Sequence, residues 1–124
     1  MHQFRVLLVE DNFILNMECC EFLRESGMFV AEAYCAAAAF EVLDRPGRLS
    51  GLVTDIDLGV GPDGFEVARR ARAAYPDIPV VYISGTASAR CVSEGVAGSE
   101  FVAKPLHPRQ ILEALGRAIH LEAA

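Results

Sequence analysis

The chain has 124 residues, of which 52% are hydrophobic and 23% charged, with a mean hydropathy of +0.28. That is apolar material enough for one packed core, and it excludes a disordered chain. Lys and Arg number 11 against 17 Asp and Glu, and the net charge of −6 argues against an electrostatic grip on nucleic acid or an anionic membrane. No apolar run reaches the roughly 18–20 residues that a membrane span needs. Met1-His2-Gln3 leads directly into a strand-like segment without a signal-peptide pattern, so the chain reads as cytoplasmic.

Residues 4–10 (FRVLLVE) form a nearly continuous apolar run ending in Glu10-Asp11, the pattern of a strand buried on both faces of a parallel sheet. Asn12 is a suitable N-cap for a first helix, with Phe13, Met17, Cys20 and Leu23 at helical spacing and Ser26-Gly27 as the stop. Residues 28–34 return to strand character, and the Ala-rich stretch 36–44 predicts a short helix closed by Arg45-Pro46-Gly47. Leu52-Val53-Thr54 is a third strand delivering Asp55. The glycines and Pro62 of the following segment make a loop, after which Gly64 opens a helix over 65–75. PVVYI at 79–83 is a fourth strand with Ser84 at its end, residues 87–95 form a weak helix, and 100–103 form a fifth strand ending at Lys104-Pro105. Pro108 suits the first position of a last helix whose stripe is Ile111, Leu112, Leu115 and Ile119.

Five strand–helix alternations with short connections predict a flavodoxin-like α/β fold: a five-stranded parallel sheet of order 2-1-3-4-5 with five helices on its two faces. No linker or repeat interrupts the pattern, so 1–124 is expected to be one domain.

In such a sheet, sites lie outside the carboxyl ends of the strands. Those ends carry Glu10 and Asp11, Asp55, Ser84 and Lys104. Three carboxylates brought together repel unless a cation joins them. Oxygen donors without Cys or His favour Mg²⁺, which keeps several waters and needs few protein ligands. Cys19, Cys20, Cys35 and Cys91 have no metal-clip spacing and read as reduced thiols, with a disulfide or zinc site as the lesser alternative. His2, His107 and His120 read as surface residues, and Arg69, Arg70 and Arg72 as a solvated helix face.

These strand-end residues, in the segments VLLVEDN (6–12), LVTDIDL (52–58), Asp63-Gly64, YISGT (82–86) and FVAKP (101–105), resemble the bacterial response-regulator receiver domain over essentially the whole chain. The resemblance implies transfer of a phosphoryl group from a phosphohistidine donor, a sensor histidine kinase or a histidine phosphotransferase, onto Asp55. Asp11, with Glu10 acting through water, would hold Mg²⁺ together with Asp55 and the backbone carbonyl of Asp57. Lys104 and the Ser84 hydroxyl would meet phosphoryl oxygens. The protein would be a phosphoacceptor with self-catalysed transfer and dephosphorylation rather than a turnover enzyme. Its output would pass through a downstream protein contact or self-association, since no DNA-recognition helix is apparent.

The sequence departs from the family pattern in a Asp55–Gly64 loop one residue longer than usual, in Gly59 where proline is common, and in Ser84 for threonine. A strand period of two would point Asp55 and Asp57 the same way, leaving both as acceptors on geometry; the apolar lead-in LVT favours Asp55. Phe101 stands where many members carry tyrosine, either as an aromatic switch or simply as core. The Lys104–Pro105 peptide is a candidate for the cis isomer. Two alternatives stand beside this reading. One is a docking module that is never phosphorylated. The other is a haloacid-dehalogenase-type phosphatase built on Asp55-Ile56-Asp57, disfavoured because that motif belongs on a first strand, has Gly59 at its fifth position and lacks a cap domain.

Overall fold

A computed structural model of the protein describes residues 3–86 and 88–123; the expectations attached to His2, Ala87 and the side chain of His120 fall outside it. Five strands, β1 (Arg5–Val9), β2 (Phe29–Ala33), β3 (Gly51–Asp55), β4 (Val80–Ser84) and β5 (Glu100–Ala103), pair in parallel in the order β2-β1-β3-β4-β5. The register sets Val9 beside Thr54, Asp55 beside Ile83, and Ser84 beside Ala103, so β1, β3, β4 and β5 all end on the same side of the sheet. This is the flavodoxin-like topology that the alternating pattern predicts.

Four helices have nine residues or more: α1 (Phe13–Glu25), α2 (Ala36–Asp44), α3 (Gly64–Ala74) and, last in the chain, α5 (Pro108–Ala123). The remaining predicted helix is only a seven-residue stretch, α4 (Ser88–Glu94). Its two serines, cysteine and valine are weak helix formers, and Gly95 follows immediately.

Alternation along each strand sends side chains to two cores. Val6, Leu8, Val53, Val81 and Ile83 pack under α1 and α5, against Cys20, Leu23, Ile111 and Leu115. Leu7, Val9, Leu52, Val80 and Tyr82 pack under α2 and α3, against Ala39, Leu43, Phe65 and Ala68. The expected stripe on α1 needs correction. Phe13 and Met17 are 63% and 46% exposed, and the buried face runs through Asn16, Cys19, Cys20 and Leu23. An apolar-only stripe assigns Asn16 to solvent, whereas its amide is hydrogen-bonded in the interior.

Capping fixes where two of the helices begin relative to the strand ends. The Asn12 side chain accepts from Leu15 N at 3.0 Å, starting α1 immediately beyond Asp11. Asp63 accepts from Glu66 N at 3.1 Å, starting α3 against the end of β3.

Candidate functional site

β1 and β3 are neighbours, so the acidic residues that follow or end them converge. One carboxylate oxygen from each of Glu10, Asp11 and Asp55 lies within 4.8 Å of the others. Glu10 is fully buried, Asp55 nearly so, and Asp11 exposed. Lys104, just beyond β5, reaches back across the end of the sheet. Its Nζ donates to Asp55 Oδ2 at 2.9 Å and lies 2.7 Å from Glu10 Oε1. The second approach is an ion pair whose angles leave Oε1 without an aligned hydrogen bond. The Lys104–Pro105 peptide, a candidate for the cis isomer on sequence, is cis.

Burial dominates the electrostatics. It pushes Glu10 up to about 7, against the opposing pull of Lys104 and of Asn12 N–H, which donates to Glu10 Oε2 at 2.9 Å. Burial works against the Lys104 ammonium as well, but the close approach of the Glu10 and Asp55 carboxylates outweighs it and raises the lysine above its ordinary value. Two carboxylates thus share one cation, with a third carboxylate beside them at the surface. The donors are all carboxylate oxygens, close enough to reach one ion, and one buried oxygen lacks an aligned donor. That set fits a hard divalent cation.

Ser84 ends β4 and is buried. Its Oγ accepts from Thr86 N at 3.2 Å, and its carbonyl accepts from Lys104 N at 2.9 Å, tying the β4 end to the segment that carries the lysine. Asp57 departs from the sequence reading. β3 stops at Asp55, so the period of two does not continue to Asp57; its side chain is exposed and lies outside the carboxylate cluster. What Asp57 contributes is its backbone N–H, which donates to Asp55 Oδ1 at 3.3 Å. Phe101, half-buried on β5, packs on the core under α2 and α3.

Arg72 is not simply part of a solvated face: its Nε donates to Ile78 O at 2.8 Å. Arg69 and Arg70 are half-exposed and pair with Glu66 and Asp44. The four cysteines are free thiols, Cys19 and Cys20 buried and Cys35 exposed. Among the described residues no helix is long and apolar enough to cross a membrane. Sequence reasoning passed over Asn16, whose Nδ2 donates to Glu10 O at 3.0 Å and to Ala33 O at 3.2 Å. The available signal was an asparagine at i+4 from the N-cap, in register with Cys20 and Leu23 on the inward face.

Comparison with known proteins agrees with this geometry. The family model described as the response regulator receiver domain matches residues 6–116. The chain is 30% identical over 119 residues to the response regulator receiver protein CpdR of Brucella abortus (strain 2308), covering 93% of this chain and 96% of that protein. A crystal structure of a response regulator receiver protein from Sinorhizobium medicae WSM419 superposes with a TM-score of 0.91 at 34% identity, covering 98% of both chains. The receiver domain of the hybrid histidine kinase CckA superposes at 0.76 with 26% identity, over 93% of this chain and 98% of that one. With strand order, strand-end residues and sequence match in agreement over the same span, this chain belongs to the response regulator receiver domain family of two-component signalling.

Proposed function

We propose that residues 1–124 form a single cytoplasmic receiver in which Asp55 takes a phosphoryl group from the phosphohistidine of a sensor histidine kinase or a histidine phosphotransferase. The observation that carries the assignment is the pairing of Asp55 Oδ2 with Lys104 Nζ at 2.9 Å, beside the oxygens of Glu10 and Asp11. An Asp55 carboxylate oxygen attacks phosphorus, the P–N bond to the donor imidazole breaks, and the electron pair leaves with the imidazole nitrogen. The product is a mixed anhydride on Asp55. Lys104 holds Asp55 in place before transfer and provides a positive charge for a phosphoryl oxygen afterwards. The buried Ser84 hydroxyl sits at the next strand end, placed to donate to another. Asp57 N–H, already directed at Asp55 Oδ1, steadies the carboxylate.

Asp11 and Asp55, with Glu10 through water and the Asp57 carbonyl, would hold Mg²⁺. When bound, the ion neutralises the oxygens of the transferring group. The exposed Asp57 carboxylate, outside the cluster, weakens the phosphatase alternative, which needs that second aspartate as an acid. Output runs through a protein contact, either a downstream target or a second copy of the chain.

The test is labelling with a small phosphodonor and Mg²⁺. Wild type and Asp57→Asn take up label, and Asp55→Asn does not. Label retained in Asp55→Asn and lost in Asp57→Asn overturns the assignment. Absence of label in wild type, together with failure to bind beryllofluoride, favours the docking module.

A further inference from the structure

Asn16 is a fully buried polar side chain on α1, and it touches none of the reacting groups. Its amide nevertheless spans two strand ends, donating to the carbonyls of Glu10 and Ala33, which follow β1 and end β2. Ala33 O also accepts from Glu10 N at 3.0 Å, so Glu10 is held through both its amide and its carbonyl. On the other side, Asn16 Oδ1 accepts from the Cys20 thiol at 3.2 Å, one helical turn further along, which fixes which way the amide faces. Asn16 N in turn donates to Asn12 O at 2.9 Å, and Asn12 N donates to Glu10 Oε2. Asp11 lies between these anchors.

A buried carbonyl normally finds a partner in the ladder or in water, and one left unpaired is costly. Glu10 is where the chain leaves the β1 ladder and turns into α1, so its carbonyl has no strand partner to continue with. A leucine at position 16 would fill the α1 interface without answering that carbonyl. We infer that Asn16 is the positioning residue for the Glu10-Asp11 carboxylate pair: it clamps the backbone between the end of β1 and the start of α1 and so sets the place of the two oxygens that would face Mg²⁺. The inference rests on the metal-binding reading of the site. It extends that reading to a residue whose own chemistry is neutral and whose contacts are all behind the site.

The experiment is a Mg²⁺ titration followed by NMR on the full chain, comparing wild type, Asn16→Leu, Leu23→Ala and Asp11→Ala. Leu23→Ala is a core control on the same helix that leaves the Glu10 carbonyl contact in place. Wild type binds and Asp11→Ala does not; this arm tests the metal reading alone. Asn16→Leu is expected to bind Mg²⁺ about tenfold more weakly, the scale of losing a group that orients a metal ligand. Its metal-free Asp11 and Asn12 amide resonances are expected to move, with Leu23→Ala close to wild type on both counts. Asn16→Leu that binds as tightly as wild type, or no more weakly than Leu23→Ala, overturns the inference and leaves the metal reading intact.

A second measurement does not depend on the variant folding. In wild type, the Asn16 side-chain NH₂ resonances are expected to be protected from exchange and to shift when Mg²⁺ saturates the site. Side-chain resonances that exchange freely, or stay fixed while the Asp11 amide responds, also overturn it.

Discussion

Gly64 begins α3 so close to the carbonyl of Asp55 that a Cβ at this position would collide with that oxygen and with the Ile56 backbone. Gly64 N donates to Ile56 O at 2.8 Å, and the contact brings the capped start of α3 against the strand end that carries Asp55. Gly64→Ala has no flexible side chain to push aside, only backbone. It is expected to lose about 3 kcal/mol of stability or more. Gly59→Ala, in the same loop, introduces a Cβ into open space and suffers only from its φ of +80°, a cost of about 1–2 kcal/mol. Denaturant unfolding of the two variants, followed by far-UV circular dichroism, reads the difference.

The burial of Glu10, only partly offset by its pairing with Lys104, makes stability depend on pH. With Glu10 raised to about 7, the folded protein holds that proton more tightly than the unfolded chain does. The corresponding stabilisation is complete below about pH 4.5 and is lost as pH rises through about 7. In metal-free protein, Glu10→Gln is therefore expected to gain stability relative to wild type between pH 5 and pH 8, in roughly that window. Lys104→Met has the opposite effect: it leaves Glu10 and Asp55 without their cation and costs about 1–3 kcal/mol at pH 8, a deficit that shrinks on acidification.

The Tyr82 hydroxyl accepts from Val96 N at 3.1 Å and so ties the segment after α4 to the central part of the sheet. Tyr82→Phe is expected to cost about 1 kcal/mol and to speed hydrogen exchange at the Val96 amide. The same segment is where a phosphoryl signal would be read. Any shift in conformation can draw only on contacts that differ between the two states, here those of the phosphoryl oxygens with Ser84 and Lys104. Beryllofluoride with Mg²⁺ is expected to move amide resonances from Ser84 through Phe101 as well as those around Asp55. Changes confined to Asp55 and its neighbours would leave a plain phosphoryl carrier.

Burial pushes the Cys19 and Cys20 thiols up to about 12, so at pH 8 neither supplies the thiolate on which reagents act. Cys35 is exposed, its sulfur capping α2 by accepting from Ala38 N. Titration with an aromatic disulfide reagent is expected to label Cys35 rapidly and to reach Cys19 and Cys20 only on unfolding.

The strand order and the strand-end residues were legible because each strand is a short apolar run ending in a chemically distinctive side chain. Glu10-Asp11, Asp55 and Lys104 could be placed on one edge without knowing any distance. Asn16 was not legible in the same way. Its burial depends on two carbonyls, those of Glu10 and Ala33, which come together only once β1 and β2 are paired. Asp57 misled for a related reason: alternation applies only while the ladder continues, and β3 ends at Asp55. The weak helix at α4 was anticipated from its composition, and it stops at Glu94, immediately before Gly95, where a Cβ would meet the Cys91 carbonyl.

The strand order leaves β2 and β5 as the two outer strands, each with one open row of backbone donors and acceptors. A sheet of this kind invites extension by a second sheet in edge-to-edge contact. Each outer strand carries a glutamate: Glu32 in β2 is exposed, and Glu100 in β5 is partly exposed and paired with Arg117 at 2.8 Å. Two copies meeting along β2 would bring their Glu32 side chains into a common low-dielectric seam. The outermost strands therefore work against aggregation, while the apolar central strands β3 and β4, enclosed on both sides, carry no such charge before the Asp55 end.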